Sequence, residues 1–466
     1  MADRPNVLFV FTDDQRFDTV AALGNPAIRT PNMDRLVERG TAFTHAHIMG
    51  GSSPAVCMPS RAMLMTGRTL FRIEGKGQQI AEDHALLGET LKEAGYETFG
   101  AGKWHNGTRA YARSFTAGAE IFFGGMMDHW NMPACDLSPS GEYPEHPFCP
   151  HPMGSNLVRR RYCDHIQPGV HSSELLADAT IDFIKGHDAT TPFFAYLSFL
   201  APHDPRTMPK EFLDMYPVDE VDLPPNYMPG HPFDNGELYI RDEELEAFPR
   251  TESAIRRHIA EYYAMITHLD RQLGRVIEAL EASGRAENTI IVFAGDNGLA
   301  VGRHGLMGKQ NMYEHSVRVP LIFAGPGIPA GERRDALCYL IDIFPTLCEL
   351  TGVDTPGTVE GKSLAGAMND PSETVRDVLH LAYTDCQRAV RDRRYKLIEY
   401  VVENAPRVTQ LFDLENDPHE LTNLAGLDEH RETVARLRKE LTRWRDELGD
   451  TREMGQRFWE GVGAGF

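Results

Sequence analysis

The stretch "VLFVFTDD", residues 7–14, runs five apolar residues into a threonine and two aspartates. Branched and aromatic side chains in so short a run, closed by a polar cluster, predict a strand buried on both faces. Acidic residues follow the run and no small-residue cleavage site does, so it does not read as a signal peptide. The same design recurs along the chain. Tyr96–Gly100 leads to Gly102-Lys103-Trp104-His105, Phe193–Leu200 to Pro202-His203-Asp204, Thr289–Ala294 to Asp296-Asn297, and Val319–Ala324 to Gly325-Pro326-Gly327. Helical patterns lie between them, the clearest being Ile255, Ile259, Tyr262, Ile266, Leu269, Leu273, Val276 and Leu280, spaced by threes and fours. Strands alternating with helices predict an α/β sandwich, with a large, mostly parallel sheet flanked by helices. In such sheets ligands bind beyond the carboxyl ends of the strands, where these polar clusters are expected to fall.

The chain has 466 residues, 41% of them hydrophobic and 25% charged, as in an ordinary globular protein. Its net charge of −21 argues against nucleic acid or an anionic membrane as a partner, and an anionic substrate would need locally concentrated positive charge. Seven cysteines, an odd number without metal-type spacing, point to a reducing compartment. No stretch is long enough to span a membrane. The expectation is a cytoplasmic protein if Met1 is the native start, and a periplasmic one if a signal has been removed. Two stretches, Gly124–Gly169 and Pro205–Pro249, lack periodicity and read either as binding loops or as surface decoration. After Asp370-Pro371 the character changes. "RAVRDRRYKLIEYV" alternates like strands, and Val434, Leu437, Leu441, Trp444 and Leu448 mark an amphipathic helix. Residues 1–370 are therefore read as the main domain, which carries the strand-end clusters, and 371–466 as a smaller α+β subdomain with a short antiparallel sheet and a helix. Phe458, Trp459 and Phe466 in the tail read as exposed groups that dock on the body or on a second subunit; nothing in the sequence signals an oligomeric state.

Taken together, the strand-end clusters carry chemistry. Asp13, Asp14, Asp296 and Asn297 bring four oxygen-bearing side chains from two strands, a donor set suited to Ca²⁺ or Mg²⁺. Adjacent buried carboxylates repel, and a cation resolves the repulsion. Arg61, Lys103, His105, His203 and Lys309 form a cationic group able to surround a tetrahedral oxyanion. Between the first two strands lies "VCMPSRAMLMTG", residues 56–67. Pro59 suits the first position of a helix and Gly67 its end, which puts Cys57 at the mouth of a short helix where negative charge is favoured. Cys57 is then a buried structural cysteine, a thiol nucleophile, or the precursor of something else.

"CMPSRAMLMTGR" resembles the signature of the type I, formylglycine-dependent sulfatases, Cys-x-Pro-Ser-Arg followed by a run ending in Thr-Gly-Arg. The resemblance extends, in the family's order, through "RPNVLFVFTDDQR", "PNMDRLVERGTAFTHAH", "GYETFGAGKWH", "FFAYLSFLAPHDP", "TIIVFAGDNG", "HGLMGKQNMYEHSVRVPLIFAGPG" and "YKLIEYV…LFDLENDPHELTNLA". The two long loops have no clear counterpart. The resemblance implies the alkaline-phosphatase-like fold and hydrolysis of an organic sulfate ester. It implies that Cys57 is oxidised to formylglycine by a formylglycine-generating or anaerobic sulfatase-maturing enzyme. One hydroxyl of the hydrated aldehyde attacks sulfur, and the other then expels sulfate by rebuilding the aldehyde. By the same resemblance Asp13, Asp14, Asp296 and Asn297 are calcium ligands (Mg²⁺ or another divalent ion being the alternative), with the modified Cys57 touching the metal. Arg61 and Lys103 hold the hydrate and His105 assists breakdown. His203 and Lys309 bind sulfate and protonate the leaving oxygen, with the division between them open.

The expected substrate is a sulfated carbohydrate, as a small molecule or an oligosaccharide; Arg206, His315 and Arg318 are candidates for its pocket. The alternative is a phosphonate monoester or phosphodiester hydrolase of the same superfamily, whose members tend to carry His where this chain has Asn297. A non-catalytic protein of the same fold that keeps Cys57 as a thiol is a further reading. No Gly-x-Gly-x-x-Gly turn follows the first strand, as a nucleotide-binding dehydrogenase would require.

Overall fold

A computed structural model describes residues 4–150, 153–188, 190–451 and 453–463. Its main sheet has eight strands, β1 (Asn6–Thr12), β2 (Gly40–Phe43), β3 (Glu97–Lys103), β4 (Ala117–Phe122), β5 (Phe193–Ser198), β6 (Thr289–Gly295), β7 (Leu321–Ala324) and β8 (Glu332–Arg334), in the order β8-β2-β7-β6-β1-β5-β3-β4. The expected α/β sandwich is what the residues form. Strand β1 is central and parallel to both neighbours, and all of its residues are buried. Its period of two divides the core. Val7, Phe9 and Phe11 pack on one face, and Leu8 and Val10 on the other.

One strand departs from the expectation. β7 pairs antiparallel with both β6 and β2. Its Gly325-Pro326-Gly327 cluster therefore turns beside Thr289, at the opposite end of the sheet from the other polar clusters, and supplies nothing to the site. Apolar runs encode burial and not strand direction, which is why the sequence was silent on this.

Helix α1 (Cys57–Thr66) lies on one face of the sheet, and α2 (Ser172–Gly186) and α3 (Glu252–Ala282) cover the other. Each apolar residue of the α3 pattern is buried. A second, five-stranded sheet is built from β9 (Leu379–Tyr383), β10 (Gln387–Arg391), β11 (Tyr395–Tyr400) and β12 (Val408–Asp413), with Gly50–Gly51 added at its edge beside β9. That added pair ties the second sheet to the segment that leads into α1. Helix α4 (Arg431–Leu448) packs Val434, Leu437 and Leu441 against this sheet. Among the described residues no helix is long and apolar enough to cross a membrane.

Phe458 and Trp459 dock on the body, the first of the two arrangements expected for the tail, and are not left exposed. In α5 (Glu453–Val462) Phe458 is fully buried beneath the Arg388 guanidinium, 4.9 Å from its ring centroid. Trp459 donates its Nε1–H to Asp450 at 3.0 Å. Phe466 lies outside the described residues. Asp450 accepts two bonds from Arg388, at 2.5 and 2.8 Å, and both residues are buried. Burial raises the Asp450 carboxyl, but Arg388 and His380 outweigh it and hold it down at about 2. Its stabilisation is present at neutral pH and is lost as pH falls from about 4, the unfolded carboxyl's value, towards about 2. Asp450→Ala strands a buried guanidinium and is expected to cost about 3–5 kcal/mol. Urea unfolding of this variant, compared with Arg445→Ala on the half-exposed face of α4, checks the figure.

Candidate active site

The carboxyl ends of four parallel strands converge under the first turn of α1. The helix begins at Cys57 itself, two residues earlier than Pro59 had implied, and ends on Gly67, whose φ of +64° is the left-handed cap expected there. Nearly every residue of α1 is buried, because the helix packs on the main-sheet core and is covered by the helical segment Leu340–Thr351, the turn Gly75–Gly77 and the Gly50–Gly51 edge. Ser60 Oγ donates to the Asp296 carbonyl at 2.5 Å and pins the helix to the end of β6.

Arg61 ties the strands together. Its Nε donates to Asp296 Oδ2 at 2.9 Å, and its Nη1 to Ser198 Oγ at 2.6 Å and the Lys103 carbonyl at 3.1 Å. Its Nη2 lies 3.8 Å from Asp13 Oδ1, and the guanidinium covers the Phe11 ring. The side chain is 1% exposed, so one buried cation is shared by residues at the carboxyl ends of β1, β3, β5 and β6. Lys103 reaches inward because β3 breaks register between Ala101 and Gly102. Gly102 has φ +92°, and a Cβ there would meet the Ser198 carbonyl at 1.9 Å, so only glycine serves. Lys103 Nζ donates to Asp13 Oδ2 and to Cys57 Sγ, the latter at 3.3 Å. His105 Nδ1 is 3.6 Å from the same sulfur.

The second aspartate is held in the left-handed region, φ +63°, which turns its carboxylate away from that of Asp13. Its backbone N–H donates to Asp296 Oδ1 at 3.0 Å. Asp14 Oδ1 receives Asn297 Nδ2 at 2.7 Å and Lys309 Nζ at 2.5 Å, and His203 Nε2 stands 3.6 Å from Asp14 Oδ2. The structure thus brings every sequence-predicted site residue into one cluster: Asp13, Asp14, Cys57, Arg61, Lys103, His105, His203, Asp296, Asn297 and Lys309.

Two oxygens in this cluster, Asp13 Oδ1 and Asn297 Oδ1, are buried without a hydrogen-bond partner. Ligand atoms of Asp13, Cys57 and Asp296 lie within 4.8 Å of one another. Burial and the neighbouring Asp13 push the Asp296 carboxyl up to about 6, against the pull of Arg61 and Lys103. Hard oxygens, two of them orphaned, in a site that resists a further negative charge suit a divalent cation. Burial pushes the Cys57 thiol up to about 11 despite Lys103 and Lys309. Burial and the adjacent Lys103 and Arg61 hold His105 well below its usual range, as a neutral imidazole.

Sequence reasoning missed several supports. Asp204 takes a bidentate pair from Arg241 and lies 3.3 Å from His203 Nδ1, whose neighbour at 2.9 Å is the Asp204 carbonyl. Asp204 was visible as the neighbour of His203; Arg241 sits in an aperiodic stretch and carried no signal. Ser198 ends the β5 run but read only as strand. Tyr262, read as a core position of α3, donates its hydroxyl to the Asp14 carbonyl and accepts from Arg16 N. Of the three pocket candidates, Arg206 bonds His258 at 2.8 Å and lies over the Tyr262 ring. Arg318 caps the Thr44 carbonyl, and His315 is buried. None of the three has a hydrogen bond to the cluster.

The sequence profile of the family described as Sulfatase matches residues 5–353, and that of N-sulphoglucosamine sulphohydrolase, C-terminal, matches residues 302–447. A protein named Sulfatase from Formosa agariphila is 30% identical over 453 residues, covering 91% of this chain and 83% of that one. An N-acetylglucosamine-6-O-sulfatase from Bacteroides thetaiotaomicron is 26% identical, covering 94% of this chain and 85% of its own. Among solved structures, one of a protein in complex with its substrate D-glucosamine-2-N,6-O-disulfate superposes with a TM-score of 0.76 at 23% identity, covering 97% of this chain and 99% of that one.

Proposed function

The chain belongs to the sulfatase family and is a sulfuric ester hydrolase; on that premise we propose that it removes sulfate from a sulfated carbohydrate, using a formylglycine made from Cys57 beside a divalent cation, Ca²⁺. The observation that carries the reading is the pair of orphaned oxygens on Asp13 and Asn297 facing a cluster in which Cys57 opens a buried helix. The carbohydrate reading is supported by the N-acetylglucosamine-6-O-sulfatase among the relatives.

Asp13, Asp14, Asp296 and Asn297 would hold the cation, with residue 57 at its edge. Bound there, it would polarise a sulfate oxygen and favour an ionised hydroxyl. Once matured and hydrated, residue 57 supplies two hydroxyls on one carbon, one to attack sulfur and one to release sulfate. The unmodified thiol, protonated at neutral pH, would be a poor nucleophile in its place.

The remaining side chains orient and neutralise. Lys103, at 3.3 Å from Sγ, is the nearest cation to residue 57, and Arg61 keeps the carboxylates and the helix in register. His105, with Nδ1 3.6 Å from Sγ, stands where it can take a proton from the second hydroxyl. Lys309 offers its ammonium to sulfate. His203 is assigned as the acid for the leaving oxygen. Its Nδ1 is backed by Asp204, itself clamped by Arg241, which leaves Nε2 directed at the site.

His203→Ala should lower kcat/KM by about 10²–10⁴-fold for an alkyl or sugar sulfate, whose alkoxide leaves poorly, and far less for 4-nitrophenyl sulfate. Equal losses on both would remove His203 from that role. Asn297, a neutral ligand, supports sulfate over phosphonate. In direct comparison, kcat/KM for 4-nitrophenyl sulfate should exceed that for phenyl phosphonate esters. The test of the substrate is sulfate release, followed by ion chromatography, from sulfated mono- and oligosaccharides; activity confined to aryl sulfates would count against a carbohydrate.

A further inference from the structure

The first aperiodic stretch builds the rim of the site. Gly125 touches the His105 ring: a Cβ placed on it would lie 3.1 Å from His105 Cε1. Four residues on, His129 Nε2 is 3.0 Å from the His203 carbonyl, and its Nδ1 is 2.7 Å from Ser172 Oγ. Residues 125–129 therefore run from one side of the catalytic cluster to the other. Met127, midway, accepts a bond on its thioether from Arg161 Nη1 at 2.8 Å.

Arg161 belongs to a hairpin that stands on this rim, in which Arg159–Tyr162 pairs antiparallel with Glu145–Phe148. Tyr162 fixes the hairpin by its edge contact with Phe123 at 5.8 Å, and Arg161 lies over the Phe148 ring at 4.2 Å. The strand presents three consecutive arginines, with Arg159 and Arg160 exposed. Among the described residues no carboxylate lies within ion-pair distance of Arg159, Arg160 or Arg161. Several surface arginines elsewhere in the chain, among them Arg35, Arg72, Arg271 and Arg275, do hold an acidic partner. Three guanidinium groups in a row without a carboxylate partner, in a chain of net charge −21, are a local concentration of positive charge of the kind an anionic substrate needs.

We propose that the Arg159–Arg161 strand is the cationic wall of the substrate cleft, binding carboxylate or sulfate groups on sugar residues beyond the one being cleaved, so that the substrate is an extended, multiply charged saccharide. The inference rests on the proposed function and names its substrate class. Planar guanidinium forks suit carboxylate and sulfate, and Arg159 and Arg161, two apart on one strand, share a face above the rim.

The test uses the full-length enzyme and fluorescein-labelled heparin di- and hexasaccharides, with affinity read by anisotropy at low and at physiological salt. The wild-type protein should bind the hexasaccharide on the order of 10-fold or more tighter than the disaccharide, with a preference that shrinks as salt rises. Arg159→Ala with Arg161→Ala should abolish that preference, and the double lysine variant, which keeps the charge, should restore part of it. A length preference that survives the alanine pair, or none in the wild-type protein, overturns the proposal. In that event, aryl sulfate turnover by the same preparation leaves the sulfatase reading standing. Arginine-dependent hexasaccharide binding by a protein that releases sulfate from no saccharide would overturn the carbohydrate reading and, with it, the substrate class proposed here.

Discussion

Cys57→Ala is expected to fold and to lose turnover of every sulfate ester, by at least about 10⁴-fold in kcat, the scale on which removal of a covalent nucleophile acts. The side chain is 2% exposed and packs between Lys103 and His105, so its truncation removes little volume, and thermal unfolding should move little. The same variant separates readings of the site. If residue 57 were only a buried structural cysteine, alanine would leave kcat nearly intact. Measuring kcat on 4-nitrophenyl sulfate beside the unfolding midpoint distinguishes a lost nucleophile from a lost fold.

The second large effect is expected at Asp296. Its carboxylate accepts from Arg61 and from Asp14 N, and burial, with the neighbouring Asp13, pushes it up to about 6. Asp296→Asn preserves shape and removes one negative charge from the candidate cation site. Calcium that binds only the folded state raises stability by about 2.7 kcal/mol at 100-fold excess over Kd. Addition of Ca²⁺ to chelator-treated wild-type enzyme should therefore raise the unfolding temperature and restore activity. Asp296→Asn should show neither response at the same concentration, and kcat/KM should fall by about 10³-fold, equivalent to several kcal/mol of charge stabilisation. A calcium response equal to that of the wild-type protein would place the cation elsewhere.

Much of this was legible in the sequence because strands buried on both faces spell themselves as apolar runs, and their ends spell the site. Val7–Phe11 and Thr289–Ala294 fixed the positions of Asp13, Asp14, Asp296 and Asn297, which the structure gathers as expected. What escaped was what a run cannot encode. The direction of β7 is set by its partners and not by its composition, so Gly325-Pro326-Gly327 fell at the wrong end. Phe458 looked exposed because its cover, Arg388, comes from a strand 70 residues earlier. Arg241 and Tyr262 act through tertiary contacts alone: one clamps Asp204, and the other is a core residue whose hydroxyl happens to reach Asp14. Side chains that position other side chains leave no periodic trace.

The central claim is that the reacting group at position 57 is made from a thiol and is not a thiol. It is tested most directly by the mass of the peptide carrying residue 57, taken from active enzyme produced in a host that matures it. The account predicts the mass of an aldehyde or its hydrate at that position, in proportion to the activity of the preparation. A peptide bearing only the cysteine thiol, from protein that hydrolyses sulfate esters at full rate, would contradict it.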